Sequence, residues 1–359
     1  MTRIAMTGAH GFLGWHTRAA LQEQGADVVV VPVGDTFDAA RVDGVDRLIH
    51  IAGVNRAEDE EIRGGNLLFA RQIADAVTAA AQPPAVIAYA NSTQAGNGTA
   101  YGEAKLEAAE ILCDAAEKIG AEFVDIRLPN LFGEHGCPFY NAVTATFCHL
   151  LVEGGEPTVD VDKQLTLLHA QDAADLLVGT TDVTDPAPVQ HETVSGLLKK
   201  LREIDRTYRR GEIPDLATKF DRDLFNTYRS YMFLARPEMP LVKHADPRGS
   251  FTEMIRTFGG TGQSSFSTTV PGVLRGGHYH RRKVERFLVL SGTARISLRK
   301  MFSDEVLHFD VTGDEPVAID MPTMWTHSIE NTGTETLLTY FWTDDHFDPE
   351  NPDTIVEAV

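Results

Sequence analysis

The chain has 359 residues, of which 43% are hydrophobic and 23% charged, as is typical of a soluble globular protein with more than one domain. A formal net charge of −20 disfavours nucleic acid and anionic membranes as partners, because both would be repelled. Three cysteines without paired or metal-type spacing predict reduced thiols, and no apolar run approaches a membrane span. We therefore expect a cytoplasmic protein that does not insert into membranes.

A glycine-rich turn follows the first predicted strand. Residues 3–7 form a short apolar strand, which runs into TGAHGFLG and then into a helical pattern that ends near residue 24. A turn without Cβ atoms lets the backbone approach a pyrophosphate, and the helix N-terminus offers N–H donors. The strand and the helix supply the context that the motif requires. We predict a dinucleotide site, with the cofactor-binding candidates Gly8, His10, Gly11, Phe12 and Gly14.

Strands and helices continue to alternate through the first third of the chain. Strands are predicted at 27–33, 47–51 and 85–90, with a long helix at 60–81. This alternation predicts parallel βαβ units in a doubly wound Rossmann sheet.

The residues after the second strand bear on the choice between NADH and NADPH. An acidic residue about 20 positions beyond the glycines would bind the ribose hydroxyls of NAD, whereas an arginine would suit NADP. Asp35 favours NAD, although a Gly-Asp pair is also common in turns. The first arginine is Arg41.

The segment YGEAK opens another predicted helix. Tyr101 and Lys105 share one helix face, and the lysine is expected to lower the pKa of the tyrosine. Such a phenol can donate a proton to a carbonyl that is being reduced, and Ser92, at the end of the preceding strand, could bind the same oxygen. A Tyr–Lys pair is often only a surface pair. After a glycine-rich βα unit it predicts Ser92, Tyr101 and Lys105 as catalytic residues of a reductase.

These features together resemble the extended short-chain dehydrogenases/reductases. RLPNLFG at 127–133 adds a stretch that borders the nicotinamide and nucleotide-sugar sites in that family. The resemblance implies that NAVTATF and LTLLHAQDAADLL line the sugar-nucleotide pocket. The substrate-binding candidates in these stretches are Arg127, Asn130, Asn141 and His169. A capping asparagine and a loop histidine are the structural alternatives for the last two.

The pattern changes near residue 240. ARPEMPLVKHADPRG predicts an inter-domain linker, and from residue 250 short alternating strands are separated by Gly and Asn-Thr-Gly turns, as in a jelly-roll barrel. We predict a Rossmann-type reductase domain at 1–240 and an all-β domain at 241–359.

A group of metal-ligand residue types lies in the second predicted domain. His278 and His280 face the same side of a strand, Glu285 follows, and His327 lies near a later strand. Three imidazoles and one carboxylate suit zinc, iron, manganese or nickel, and we predict zinc. A polar strand face without a metal is the alternative interpretation.

This spacing resembles the first cupin motif, G-x5-H-x-H-x4-E-x6-G, which is matched from Gly272 to Gly292. The second cupin motif fits less well, because Met324 stands where a glycine is usual. DPRGSFTE at 246–253 also resembles metal-free nucleotide-sugar 3,5-epimerases, which share the fold and use the first histidine as a base. Those enzymes generally lack the second histidine, so His280 and Glu285 favour a metal.

Over nearly its whole length the chain resembles the CapF-type bifunctional enzymes of capsular polysaccharide biosynthesis. The resemblance rests on AGVNR, STQA, LPNLFG, the cupin motif and the closing FDPENPDT. It implies that the cupin epimerises C3 of a UDP-4-keto-6-deoxy-N-acetylhexosamine and that the reductase domain then reduces C4. The product would be a UDP-6-deoxy-L-talosamine derivative on the route to UDP-N-acetyl-L-fucosamine. The implied cofactor is NADPH, with His10 and Arg41 as phosphate contacts, while Asp35 leaves NADH open.

Epimerisation requires a base for C3 and contacts for the phosphates. Lys243 is the catalytic candidate for the base, and Arg248 and Arg275 are candidates for substrate binding, without a firm ranking against Asp246 and Tyr340. Cupins often pair through edge strands, so a homodimer is expected.

Two other functions are weighed against this one. A dinucleotide-sensing regulator could share the first domain, but such proteins usually lack a pair like Tyr101 and Lys105. The cupin could also be a non-catalytic sugar-binding or dimerising module on a monofunctional reductase. The histidine group disfavours that alternative, and metal analysis of the purified protein would test it.

Overall fold

The computed structural model describes all 359 residues, which form two compact units. The first unit comprises Met1–Phe132, Tyr140–Ala142 and Gln164–Glu192. The second comprises Gly133–Phe139, Val143–Lys163 and Thr193–Val359. None of the helices combines the length and the hydropathy that crossing a bilayer requires.

Strands and helices alternate in the first half of the chain, and strands dominate after the last helix. The helices, in chain order, are α1 (Phe12–Glu23), α2 (Asp59–Ala79), α3 (Ala100–Ile119), α4 (Val143–Val152), α5 (Ala170–Val178), α6 (Val194–Tyr208) and α7 (Lys219–Ala235). The strands are β1 (Arg3–Thr7), β2 (Asp27–Val30), β3 (Arg47–His50), β4 (Val86–Ser92), β5 (Glu122–Leu128), β6 (Asn130–Phe132), β7 (Gln164–His169), β8 (Gln190–Thr193), β9 (Glu238–Pro240), β10 (Lys243–Asp246), β11 (Gly249–Thr252), β12 (Gln263–Thr269), β13 (Leu274–Tyr279), β14 (Glu285–Ser291), β15 (Thr293–Lys300), β16 (Val306–Thr312), β17 (Val317–Met321), β18 (Trp325–Asn331), β19 (Leu337–Thr343) and β20 (Ile355–Val356).

The first unit is built on a five-stranded parallel sheet with the order β2-β1-β3-β4-β5. A parallel sheet is usually covered by helices on both faces. Here the helices form one apolar core with each face of the sheet. Leu13 of α1 and Leu177 of α5 pack on one face, and Ile73 of α2 and Leu112 of α3 pack on the other. The predicted doubly wound Rossmann sheet is confirmed. The carboxyl ends of β1, β3 and β4 meet at one edge, where ligands of such folds bind.

The second unit contains two five-stranded sheets with antiparallel pairing, in the orders β12-β19-β14-β17-β9 and β16-β15-β18-β13-β20. Both sheets turn apolar side chains into one core. Val289 and Ile319 contribute from the first sheet, and Ile296 and Ile329 contribute from the second. The predicted all-β architecture of the C-terminal part is confirmed.

Helices α4, α6 and α7 belong to the same compact unit as these sheets. A buried polar network contributes to this grouping. The Arg286 guanidinium on β14 binds both carboxylate oxygens of Asp320 on β17, at 2.6 and 2.9 Å, and the Tyr208 hydroxyl of α6 donates to the same carboxylate at 2.8 Å. The predicted boundary between residues 240 and 241 follows the change in secondary structure. The compact units do not change at this boundary. Helices α4, α6 and α7 and strand β9, which precede it, pack with the antiparallel sheets.

Candidate functional site

The glycine turn between β1 and α1 has no room for side chains. Gly8 has a left-handed φ of 70°, and a Cβ atom there would lie 2.7 Å from the backbone nitrogen of Ala52. A Cβ atom on Gly14 would lie 1.9 Å from the Gly8 carbonyl oxygen. Gly11 occupies the N-cap of α1, which has neither a capping side chain nor an acidic residue in its first turn. Free N–H groups at this helix end suit a pyrophosphate, as the sequence predicts.

A buried threonine and histidine fix the edge of the sheet beside this turn. The Thr7 hydroxyl oxygen accepts hydrogen bonds from the backbone of Ile51 and Ala52, at 3.0 and 3.1 Å, and lies 2.7 Å from Nδ1 of His50. Burial, aided by the positive charge of Lys105, lowers the pKa of His50 to about 3. His50 is therefore neutral at physiological pH. Sequence reasoning missed this pair, because it depends on the register between β1 and β3.

The segment after β2 brings an arginine back to the end of that strand. Arg41 donates from Nη1 to the Val30 carbonyl at 2.7 Å, and its Nε lies 3.4 Å from the Asp38 carboxylate. Asp35 is exposed in a short 3₁₀ turn, Gly34–Thr36, and His10 is exposed in the glycine turn. Arg41 thus contacts the strand that usually carries the ribose-reading residue of a Rossmann site.

The predicted catalytic residues converge at the start of α3. The Thr99 side chain caps this helix by accepting from the N–H of Gly102 at 3.0 Å, which sets Tyr101 in the first turn. Ser92, at the end of β4, is hydrogen-bonded to Tyr101. One turn later, the buried Lys105 ammonium donates to the Ala90 carbonyl at 2.6 Å.

The expected lowering of the Tyr101 pKa by Lys105 is wrong for this arrangement. Burial raises the pKa of Tyr101, and the Ser92 hydrogen bond only partly opposes that rise. Burial also lowers the pKa of Lys105 to about 7, against the attraction of Asp125. The phenol therefore stays protonated at neutral pH, as a proton donor must.

Tyr89 of β4 supports the lysine and was not predicted from the sequence. The Lys105 ammonium lies 4.3 Å from the centroid of the Tyr89 ring, a cation–π contact. On β3, His50 stacks with Tyr89 at 5.4 Å between centroids and 14° between planes. An aromatic residue three positions before Ser92 was the available signal, but its partner could not be inferred.

The four substrate-binding candidates of the first unit have separate neighbours. Arg127 lies 3.3 Å from the Asp125 carboxylate, and Asn130 donates to the Thr166 carbonyl at 3.3 Å. Their roles in substrate binding stay predictions.

Asn141 and His169, the other two candidates, are also engaged. Asn141, with a φ of 53°, donates to the Asn55 carbonyl at 3.2 Å, and the neighbouring Tyr140 hydroxyl donates to the Asn55 side chain at 2.8 Å. This contact joins the AGVNR loop to residues 140–141. His169 is buried and packs edge-on against Phe132, with ring centroids 5.1 Å apart.

In the second unit, the four predicted metal ligands come together. One ligand atom from each of His278, His280, Glu285 and His327 lies within 4.8 Å of the others. His278 on β13 pairs with His327 on β18, while Glu285 opens β14 in the other sheet. Nε2 of His280 and of His327 lie 3.2 and 3.3 Å from the Glu285 carboxylate. Side chains from both sheets therefore surround one point.

Hydrogen bonds orient the imidazole rings of His280 and His327 so that one nitrogen of each ring faces that point. Nδ1 of His280 is bonded to the Asp353 carbonyl and Nδ1 of His327 to the Trp325 carbonyl, so both rings turn Nε2 inward. Nε2 of His327 is buried and makes no hydrogen bond of good geometry. A buried nitrogen of this kind, beside two more imidazoles and a carboxylate, fits the tetrahedral N/O site of a divalent ion.

The pKa values of His278 and Glu285 favour the protonation states that bind a cation. Burial, with neighbouring His327 and His280, lowers the pKa of His278 to about 4, so this ring is neutral. Burial opposes ionisation of Glu285, but the adjacent imidazoles of His280 and His327 outweigh it and lower the carboxylate pKa. A neutral imidazole and an ionised carboxylate are the forms that bind metals.

Three other predicted residues of the second unit are exposed. The Lys243 ammonium donates to the Asp314 carbonyl at 2.9 Å. Arg248 lies in the turn between β10 and β11 and is paired with Asp246 at 2.6 Å, and Arg275 is exposed on β13. None of the three belongs to the histidine group, and their roles stay predictions.

Two protein families match separate parts of the chain. Residues 74–186 match the NAD dependent epimerase/dehydratase family, and residues 244–355 match the polysaccharide biosynthesis C-terminal domain. The spore coat polysaccharide biosynthesis protein SpsL of Bacillus subtilis is 28% identical over 122 residues, which cover 32% of this chain and 81% of that protein.

Two further proteins match over the whole length. A UDP-2-acetamido-2,6-beta-L-arabino-hexul-4-ose reductase of Pseudomonas aeruginosa is 33% identical over 372 residues, covering 99% of both chains. The crystal structure of the capsular polysaccharide assembling protein CapF from Staphylococcus aureus has 33% identity and a TM-score of 0.63, over 99% of this chain and 100% of that one. With such coverage and identity, the chain belongs to the family of CapF and this reductase, in which an epimerase/dehydratase-type unit precedes a polysaccharide biosynthesis C-terminal domain.

Proposed function

We propose that the protein is a bifunctional nucleotide-sugar enzyme of capsular or surface polysaccharide biosynthesis. Its C-terminal unit epimerises C3 of a UDP-4-keto-6-deoxy-N-acetylhexosamine, and its N-terminal unit reduces the C4 ketone with NADPH. The product is a UDP-6-deoxy-L-talosamine derivative on the route to UDP-N-acetyl-L-fucosamine. The convergence of Ser92, Tyr101 and Lys105 beside a glycine-rich βα turn carries the reductase assignment.

The reductase step uses the protonated phenol. The nicotinamide supplies a hydride to C4 when it is bound. Ser92 and Tyr101 hold the ketone oxygen between their hydroxyls, and Tyr101 gives its proton to that oxygen as charge develops there. Lys105 is fixed by the Ala90 carbonyl and the Tyr89 ring, and its ammonium supplies a positive charge one helical turn from Tyr101.

For the epimerase step, His278, His280, Glu285 and His327 would hold a divalent ion, which we take to be zinc. When bound, the ion supplies positive charge to the ketone oxygen and thereby acidifies the C3 hydrogen. A base must remove that hydrogen and an acid must return one to the other face. Lys243 is the base that we predict, and His278, neutral at physiological pH, is the base of the metal-free alternative.

The two steps have a fixed order. The C3 hydrogen is acidic only while C4 is a ketone, so epimerisation must precede reduction. The direct test incubates the enzyme with the UDP-4-keto-6-deoxy sugar in deuterated water and follows NADPH absorbance and deuterium at C3. NADPH oxidation with no substrate, or none with this ketone, would contradict the proposal.

The preference for NADPH is assigned to Arg41. Its guanidinium is held at the end of β2, where a 2′-phosphate would accept charge-assisted hydrogen bonds worth about 1.5–3 kcal/mol. In Arg41→Gln, kcat/KM for NADPH should fall by about 10- to 100-fold while that for NADH changes little. Arg63→Gln is the control, because it removes an exposed α2 arginine paired with Glu107 at 3.0 Å. A wild-type preference for NADH that vanishes in Asp35→Asn would show that the acidic residue decides.

The Tyr89 contact should shape the pH dependence of reduction. The pKa of Lys105 is about 7, so kcat/KM should fall as pH rises through this value and the ammonium loses its proton. Tyr89→Leu removes a cation–π contact worth about 1–2 kcal/mol at a desolvated site and should move this alkaline limb about one pH unit lower. Tyr89→Phe keeps the ring face and should preserve the wild-type profile. Equal profiles for all three proteins would contradict the role of the ring.

The assembly that we propose is a homodimer formed by the C-terminal unit. Strand β12 is an edge strand, and Phe266 on it and Leu274 on β13 are 71% and 58% exposed. Exposed apolar side chains on a sheet edge favour pairing with another chain. Sedimentation as a monomer would contradict this assembly.

A further inference from the structure

The loop between His280 and Glu285, residues 281–284, has all four of its backbone N–H groups bonded to buried carboxylates. Asp353 accepts three of them, from residues 281, 282 and 283, at 3.0, 2.9 and 2.8 Å. Asp344 accepts the fourth, from residue 284, at 2.7 Å. Charge-assisted hydrogen bonds in this number restrict the backbone of a loop that would otherwise have considerable conformational entropy. The spacing of the two ligands is therefore fixed by residues outside the loop.

Asp353 also orients one of the ligands directly. Its backbone carbonyl accepts a hydrogen bond from Nδ1 of His280, and Nε2 of that ring then lies 3.2 Å from the Glu285 carboxylate. Asp353 has a left-handed φ of 45°, a conformation that costs free energy outside glycine and persists where surrounding contacts hold it. One residue thus fixes both the ring and the loop that follows it.

The segment around Asp353 is also anchored by contacts that do not involve the side chains of the histidine group. Strand β20 pairs antiparallel with β13, which carries His278. Beyond β20, the Glu357 carboxylate accepts from Arg299 at 2.7 Å, and its carbonyl accepts from the Thr326 hydroxyl at 2.6 Å. The segment that carries Asp353 is therefore held by backbone pairing and by the contacts of Glu357.

We propose that Asp353 is a positioning residue of the metal centre, through which the C-terminal segment sets the direction of His280 and its distance from Glu285. This inference rests on the metal site of the proposed function. Mutation of a residue that hydrogen-bonds to a metal-binding histidine typically lowers metal affinity by about 10- to 100-fold. The same role predicts that the loop is ordered before any metal binds.

The first measurement is zinc affinity, by competition with a chromophoric chelator. Asp353→Ala should bind zinc about 10- to 100-fold more weakly than the wild type. Asp353→Asn keeps one acceptor oxygen and should show a smaller loss. Asp348→Ala is the matched control, because this exposed aspartate of the same segment bonds only locally, to the N–H of Glu350 at 2.9 Å. The control should keep wild-type affinity.

The second measurement is hydrogen exchange of residues 281–284 after removal of metal. Protection should fall in Asp353→Ala and stay in Asp348→Ala, whatever the metal content. Wild-type protein that binds no zinc would refute the metal site, while the exchange result would still decide whether Asp353 orders the loop. Zinc affinity and exchange equal to wild type in Asp353→Ala would overturn the inference. If that variant does not fold, wild-type values in Asp353→Asn would overturn it equally.

Discussion

Replacing Tyr101 by phenylalanine is expected to lower kcat/KM for ketone-dependent NADPH oxidation by about 100- to 10,000-fold, the usual effect of losing a general acid. The substitution removes the hydroxyl that is hydrogen-bonded to Ser92 and leaves the ring at the start of α3. Deuterium from solvent should still enter C3 of the keto-sugar, because the histidine group is untouched. NADPH absorbance and NMR of the sugar measure the two steps separately.

A matched control for this experiment is Tyr231→Phe. It also removes a tyrosine hydroxyl, one that donates to the Gly136 carbonyl at 2.6 Å in the second unit. Its reductase rate should stay close to that of the wild type. Normal NADPH oxidation by Tyr101→Phe would contradict the proton donor. Absence of C3 exchange in that variant, when it is folded and metal-loaded, would instead favour a monofunctional reductase.

Removing one imidazole of the metal group is expected to have the second large effect. His278→Ala leaves three of the four donor side chains and opens the site to water. Zinc affinity should weaken by more than the about 10- to 100-fold seen for outer-shell changes, and C3 exchange should be lost with the metal. The dinucleotide should still bind, because its predicted residues lie in the other compact unit. Metal analysis and deuterium incorporation check both effects.

His308→Ala is the control, because it removes a histidine of the same unit that does not belong to the metal group. His308 is exposed in the same unit and contacts the Ser297 hydroxyl at 2.8 Å, outside the metal group. It should keep its zinc and its exchange activity. Wild-type protein that lacks metal yet exchanges C3 normally would refute the metal mechanism. If His278→Ala then abolished exchange, the metal-free role of His278 as base would be favoured.

The parts of the site that the sequence predicts are those in which short spacing on one regular element already sets the geometry. Tyr101 and Lys105 lie four residues apart on α3, and His278 lies two residues before His280. The helical and strand periods alone put each pair on one face. The glycine turn is equally local, since the exclusion of a Cβ atom at Gly14 comes from the nearby Gly8 carbonyl.

Contacts between distant segments could not be predicted in this way. Tyr89 meets His50 because β3 and β4 pair in one particular register, and Asp353 reaches His280 across 73 residues of chain. The pKa of Tyr101 was mispredicted because burial, which a sequence does not reveal, outweighs the expected effect of the lysine. Lys243 stays a prediction, since the choice of base depends on how the sugar binds.

The interleaving of the two compact units has a consequence for synthesis and inheritance. The chain passes between them after residues 132, 139, 142, 163 and 192, so the first unit lacks its last segment until residue 192 has left the ribosome. Until residue 178 has emerged α5 is missing, and only α1 covers that apolar face of the parallel sheet, so part of the face stays exposed and is prone to aggregate. No single break in the gene could yield one complete unit and leave the other intact. Any single break that completes the first unit therefore leaves part of the second unit attached to it.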